Sequence, residues 1–245
     1  MELAKRFGNV IVMWRLILLI YVNATFACEW PTVDALFVVD STLGVTVFNF
    51  ELIKKLLLSV VNDMQVSSSQ TRVGFAKFTP KAILEFSLIS GINKEELKRR
   101  INMASYEPCI ESETGCFPIA TINSIAKAAL HVTSGNRASV PDAMIIISST
   151  AYRIPELGVG ETLMKPTSPV FVFYVSVGKL DEISSDSVKY ASSATTIKFS
   201  AIGYDALQKL TEPLCMAAND FIKDAQFFPL CVRVSFTSVK DTVIS

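Results

Sequence analysis

Three unbroken apolar runs of strand length constrain this chain more than any other feature. Residues 33–39 (VDALFVV) lead straight into Asp40-Ser41-Thr42, residues 143–148 read AMIIIS, and residues 169–177 read PVFVFYVSV. A strand with one wet face alternates apolar and polar side chains. An unbroken run marks a strand covered on both faces, as in a parallel sheet. Helical patterns separate these runs. Residues 48–64 place Phe50, Ile53, Leu57, Val60, Val61 and Met64 at helical spacing. Residues 93–103 (NKEELKRRINM) open with Asn93 as N-cap and Glu96 three residues on. Residues 122–132 repeat the helical spacing through Ile122, Ile125, Ala126, Ala129 and Leu130.

The remaining segments complete an alternating order. Residues 71–78 (TRVGFAKF) and 82–88 (AILEFSL) are strand-like around Thr79-Pro80-Lys81, which predicts a hairpin. Residues 181–191 can form a helix, and residues 195–200 (TTIKFS) an edge strand. Residues 204–223 form a last long helix that Pro213 kinks or divides. Beyond it the tail reads as irregular or strand-like, with VRVSF at 232–236. Strands and helices in this order predict an α/β fold, a doubly wound, mostly parallel sheet with helices on both faces. Such sheets bind ligands at the carboxyl ends of their strands, near the switch in strand order. Asp40, at the end of the first run, is therefore the first place to look.

Composition narrows the classes of function. Of 245 residues, 50% are hydrophobic, enough for a full core. Lys plus Arg and Asp plus Glu are 23 each, so no global field draws in nucleic acid. Lys54-Lys55 and Lys98-Arg99-Arg100 read as solvated helix faces. The first 27 residues read as a signal peptide, with an uncleaved anchor as the alternative: Lys5, Arg6 and Arg15 are followed by LILLIYV and then by Thr25-Phe26-Ala27. Met13 also makes a plausible start. The reading divides the chain into a signal peptide at 1–27, a domain at 28–225 and a tail at 226–245. No later stretch approaches ~20 unbroken apolar residues, so no membrane span is expected after the signal. Secretion makes disulfide candidates of Cys28, Cys109, Cys116, Cys215 and Cys231. Cys109 and Cys116 flank a short loop and suit a local bridge. Cys28 pairs with either Cys215 or Cys231, and the odd cysteine is either buried or links to another chain in a disulfide-linked oligomer.

Catalytic signatures are missing. Serine hydrolysis needs a base beside the nucleophile, and the single histidine, His131, lies on an expected helix with no GxSxG sequence present. A zinc site of Cys and His is equally unexpected. Gly158-Val159-Gly160 lacks a phosphate-binding pattern and reads as a flexible connection. Glu95-Glu96 and Asp181-Glu182 fall at expected helix starts, where they favour the macrodipole. The one N-x-Ser/Thr sequence, Asn23-Ala24-Thr25, lies in the expected signal peptide.

One family shares this order. An apolar strand, an Asp-x-Ser-x-Ser loop and a long amphipathic helix open the von Willebrand factor type A domain, and LFVVDSTLG at 36–44 resembles that opening. TRVGFAKFTPKAILEFSL, INKEELKRRINMASY and PVFVFYVSVG resemble its later pieces, so the likeness runs over about residues 31–223. It implies a loop that holds magnesium through two serine hydroxyls, a threonine hydroxyl and two aspartates, with a partner's carboxylate completing the ion. Position by position, Asp40 fills the first aspartate and Thr42 the first serine. Gly44 replaces the second serine and offers no oxygen. Thr121 or Ser124 supplies the third hydroxyl, depending on where the helix begins. Ser149, in Ser148-Ser149-Thr150, replaces the second aspartate. Asp142 precedes the central strand and belongs at the opposite end of the sheet. One carboxylate with a few hydroxyls competes poorly with magnesium's own hydration, and Asp40 and Thr42 can instead hydrogen-bond the loop.

The resemblance implies an extracellular protein partner of the adhesive or matrix kind, and no reaction. Two readings follow. One is a binding module using the face around Asp40, Thr42, Thr121 and Ser149 with no cofactor. The other is a metal-dependent adhesion domain rebuilt on Asp40, Thr42 and Thr121, which takes an acidic residue of its partner. A secreted enzyme would need a catalytic constellation that the sequence does not contain.

Overall fold

A computed structural model describes residues 28–78, 82–108, 118–149, 170–178, 194–223 and 242–244. β1 (Asp34–Asp40) is buried at every position. α1 (Val47–Asp63) follows, capped by the Thr46 side chain, which accepts from the Asn49 N–H. β2 (Arg72–Phe78) and β3 (Ala82–Phe86) pair antiparallel, the hairpin expected from their sequence. α2 (Lys94–Met103) is capped by Asn93 accepting from Glu96 N–H, as its sequence predicted. α3 (Pro118–Ala129) precedes β4 (Asp142–Ser149), β5 (Val170–Val177) and β6 (Ala194–Ala201).

The seven strands among the described residues lie in the order β3-β2-β1-β4-β5-β6 and then β7 (Thr242–Ile244). All neighbours are parallel except β2 and β3. The chain builds outward from β1 to β3, then returns to β4 on the other side. The switch in strand order therefore falls between β1 and β4, where Val39 stands opposite Ile147. β6, expected at an edge, is covered on its outer side by β7, three residues from the tail. The expected strand at 232–236, the helix at 181–191 and the hairpin turn at 79–81 lie outside the described residues.

Apolar side chains pack on both faces, the cause of the unbroken runs. On one face Ala35, Phe37, Val39, Ile145 and Phe173 meet Phe50, Ile53 and Leu57 of α1 and Leu97 and Ile101 of α2. On the other, Leu36, Val38, Met144 and Ile146 meet Ile122, Ile125, Ala126 and Ala129 of α3. Fully burying such a side chain contributes about 1.5–3 kcal/mol. The expected last helix is three pieces: a 3-10 helix at Tyr204–Leu210, α4 (Thr211–Ala218) and a π-helical turn at Asn219–Lys223. Pro213 lies in the first turn of α4, where a missing N–H breaks no helical bond. Cys28 is bonded to Cys215 in α4, which decides between the two expected partners and ties the entrance of β1 to the last helix. Cys109, Cys116 and Cys231 lie outside the described residues.

Polar groups lock the amino ends of the strands. Arg137 donates to Asp34 through Nε at 3.0 Å and Nη2 at 2.6 Å. Asn136 Nδ2 donates to both carboxylate oxygens of Asp142 at 3.0 Å. Asp142 stands opposite Asp34 and so lies at the far end of the sheet from Asp40, as its position in the sequence predicted. Lys54 departs from its expected place on a solvated face. It is buried, with Nζ donating to the Asn102 and Ala104 carbonyls at 3.0 and 3.2 Å and pairing with Glu51. Its charge meets carbonyls that the end of α2 leaves unpaired. Lys98 and Arg99 stay on the surface and pair with Glu95 and Glu96. His131 follows α3, and its Nδ1 accepts from Thr133 N–H to cap the turn at Val132–Ser134.

Candidate functional site at the carboxyl edge of the sheet

β1 ends in Asp40 and β4 in Ser149, side by side at the switch point. Asp40 is fully buried, so its carboxylate needs partners. Oδ1 accepts from Thr42 N–H at 2.9 Å and from Thr42 Oγ1 at 2.6 Å. Oδ2 accepts from Ser149 N–H at 3.0 Å, Ser149 Oγ at 3.1 Å and Ser148 Oγ at 3.4 Å. Charge-assisted bonds of this kind are the strong ones. They spread the Asp40 charge over two loops and fasten the end of β1 to the end of β4.

A second layer closes over this centre. Ser41 Oγ donates to the Glu107 carbonyl at 3.4 Å and accepts from Glu107 N–H at 3.2 Å. Tyr106 Oη donates to the Thr42 carbonyl at 3.0 Å, and its ring lies 5.8 Å from that of Phe50. Lys77, at the end of β2, is fully buried; its Nζ donates to the Ser105 carbonyl at 2.8 Å and pairs with Glu85 at 2.6 Å and Glu107 at 3.6 Å. The Ser105 hydroxyl, then Lys77, hold the Glu107 carboxyl below the usual carboxylate range. Two phenols stand near Asp40. Burial, opposed by a hydrogen bond with Ser148 and helped by the Asp40 charge, pushes Tyr174 up to about 12. Burial, Asp40 and Tyr106 push Tyr204 up in the same direction.

Each residue expected at the site can now be placed. Asp40, Thr42 and Ser149 converge within hydrogen-bond distance. Gly44 is exposed in the loop before α1. Because α3 begins at Pro118, Thr121 falls in its first turn, its side chain outside the description; Ser124, one turn on, is exposed. Lys77, Tyr106, Ser148, Tyr174 and Tyr204 were not expected there. Lys77 alone left a signal: it follows Phe75 by two in a strand, which places its side chain on the same covered face.

A hard divalent ion wants near-octahedral oxygens, commonly with carboxylate charge. Five protein donors already occupy the Asp40 oxygens, Gly44 offers no side-chain oxygen, and the Ser149 hydroxyl donates to Asp40 where a second carboxylate would stand. The described donor set does not fit magnesium. Among the described residues, no three His, Cys, Asp or Glu side chains lie close enough to share an ion.

A mostly parallel sheet wound in both directions from β1, with an Asp-x-Thr-x-Gly loop at its switch point, defines a doubly wound α/β domain. The chain belongs to the von Willebrand factor type A domain family, whose model matches residues 34–212. Human matrilin-1 is 24% identical over 200 residues, covering 78% of this chain and 38% of that protein. Mouse collagen alpha-4(VI) chain is 26% identical over 160 residues, covering 64% of this chain and 7% of that one. This chain thus spans well under half the length of either. A solved structure of proximal thread matrix protein 1 from the mussel byssus, with a zinc-occupied MIDAS motif, superposes with a TM-score of 0.55 at 12% identity. It covers 77% of this chain and 48% of that one, and the likeness is one of fold. The matrilin and collagen relatives are extracellular matrix proteins.

Proposed function

We propose that this chain is a secreted protein-binding module of the matrix or adhesive kind, which meets its partner through the carboxyl edge around Asp40, Thr42, Thr121 and Ser149 without an obligatory metal. One observation carries the reading: both Asp40 oxygens are taken by protein donors, so the loop is held in shape without an ion. The matrix relatives and the signal-like residues 1–27 support an extracellular place of action. No described helix is long and apolar enough to cross a membrane. The odd cysteine count supports a disulfide link to another chain.

Adhesion of the secreted chain to cell-derived extracellular matrix, in EDTA and in millimolar magnesium, tests the proposal. Equal binding in both is expected. Binding that EDTA abolishes and magnesium restores would sink the metal-free reading, and no binding in either would sink the adhesive one. The magnesium-dependent outcome is that of the second reading, a rebuilt site on Asp40, Thr42 and Thr121 that takes a partner's carboxylate. That reading is favoured by the carboxylate and hydroxyl still meeting at the switch point, 2.6 Å apart.

A further inference from the structure

The residues that meet at the carboxyl edge are buried. Asp40 and Ser41 are 0% exposed, Thr42 is 2% and Ser149 is 6%. A partner's side chain cannot touch atoms that water does not reach. An edge built on these residues therefore binds only after something that covers them has moved.

Residues 104–107, the segment after α2, lie against the Asp40 loop and are held unevenly. Ammonium groups fasten the inner end. Lys54 Nζ donates to the Ala104 carbonyl at 3.2 Å and Lys77 Nζ to the Ser105 carbonyl at 2.8 Å, and both lysines are buried. Ala104 N–H also donates to the Arg100 and Ile101 carbonyls. Bonds from a charged donor are roughly twice as strong as neutral ones. The outer end meets the loop through neutral bonds. Tyr106 Oη donates to the Thr42 carbonyl at 3.0 Å. Ser41 Oγ donates to the Glu107 carbonyl at 3.4 Å and accepts from Glu107 N–H at 3.2 Å. The exposed Glu107 carboxylate stands 3.6 Å from Lys77, and its shorter bond, 2.7 Å from the Ser105 hydroxyl, lies within the segment itself. The weaker end is the one that covers Ser41 and Thr42, and the boundary between the two ends falls at Ser105.

We infer that Tyr106 and Glu107 form a gate, hinged at Ser105, which closes the Asp40 loop in the free chain and lifts to admit the partner. The inference rests on the reading of the carboxyl edge as the binding face. The Tyr106 ring, 5.8 Å from that of Phe50, favours the closed state. The partner binds the open minority, and its apparent affinity is reduced by the fraction open. Opening breaks no bond to the Asp40 carboxylate, because its donors come from Thr42, Ser148 and Ser149. The loop keeps its shape while the gate moves.

Hydrogen exchange of the secreted full chain, and its adhesion to cell-derived matrix in EDTA, test the opening and its purpose separately. Corrected for intrinsic rates, the Glu107 N–H should exchange at least tenfold faster than the Ala104 N–H. It should exchange faster still in Tyr106→Phe, which removes the bond to Thr42 and keeps the ring. Equal protection of the two amides overturns the gate. Tyr106→Phe should also adhere severalfold more tightly. Ser41→Cys with Glu107→Cys, oxidised to a disulfide, should adhere at least tenfold more weakly. Peptide mapping confirms that bond beside Cys28–Cys215, and circular dichroism confirms folding. Neither single cysteine variant should weaken adhesion. A loss already present in one of them marks a direct contact with the partner and overturns the inference. Undiminished adhesion of the cross-linked form overturns the gate and leaves the binding reading standing. No adhesion by any form overturns both.

Discussion

Asp40 acts through its hydrogen bonds. Removing its carboxylate leaves the Thr42 and Ser149 N–H groups and three hydroxyls without their acceptor. Asp40→Ala should therefore destabilise the fold by about 2–4 kcal/mol in urea unfolding. In a metal-binding domain the same change would be felt chiefly with the ion present. Calorimetry of the unsubstituted chain with magnesium or manganese should show no heat at millimolar metal, and micromolar binding lost in Asp40→Ala would refute the metal-free reading. Tyr174 makes a separate prediction. Its folded value lies near 12, above the ordinary tyrosine value of 10.0. The unfolded chain therefore loses the proton first. Stability from this group is fully present below pH 10, falls as pH rises from about 10 to about 12, and is flat beyond. Tyr204 acts in the same sense. Urea titrations across that window, with Tyr174→Phe losing part of the slope, check it.

At the scale of elements, two buried lysines hold the segment after α2 against the sheet. Lys54 reaches the Asn102 and Ala104 carbonyls from α1, and Lys77 reaches the Ser105 carbonyl from β2. Between them they place Tyr106 on Thr42 and Glu107 on Ser41. Lys77→Ala strands Glu85 in a partly buried place and should cost about 3 kcal/mol. Lys77→Met with Glu85→Leu removes both charges and keeps the volume, and should recover most of that loss in the same denaturation assay. Faster hydrogen exchange at residues 104–107 in Lys77→Ala would show that the segment is released. Helix starts are a smaller matter: Asn93→Ala should cost about 1 kcal/mol through the lost cap on Glu96 N–H.

For the whole molecule, the Cys28–Cys215 bond joins residues 187 apart and so encloses nearly the entire sheet. Cross-links across long loops restrict the unfolded chain most. The Cys28→Ser, Cys215→Ser variant should lose about 2–5 kcal/mol, read as a lower melting temperature, while folded spectra at low temperature stay unchanged. Much of this architecture was legible beforehand. The runs at 33–39, 143–148 and 169–177 could only be strands covered on both faces, and β1, β4 and β5 are such strands. Asn93 and Glu96 announced the start of α2. The place of β7 beside β6 was not legible, because a three-residue strand has too few side chains to carry a pattern.

The sequence by itself determined the layered α/β order, the position of Asp40 at a strand end, and the two departures, Gly44 and Ser149, from the family's metal loop. Those follow from local rules: periodicity, turn chemistry and residue identity at a known place. Tertiary structure alone decided that Asp40 is saturated by donors from two loops, that Cys28 takes Cys215, and that Lys54 and Lys77 are buried. Each of these brings together residues far apart in the chain, and side chains of the same chemistry read alike in sequence whether water or a carbonyl waits beside them. A lysine on a helix is a surface residue until the fold sets unpaired carbonyls within 3.0 Å of its ammonium group.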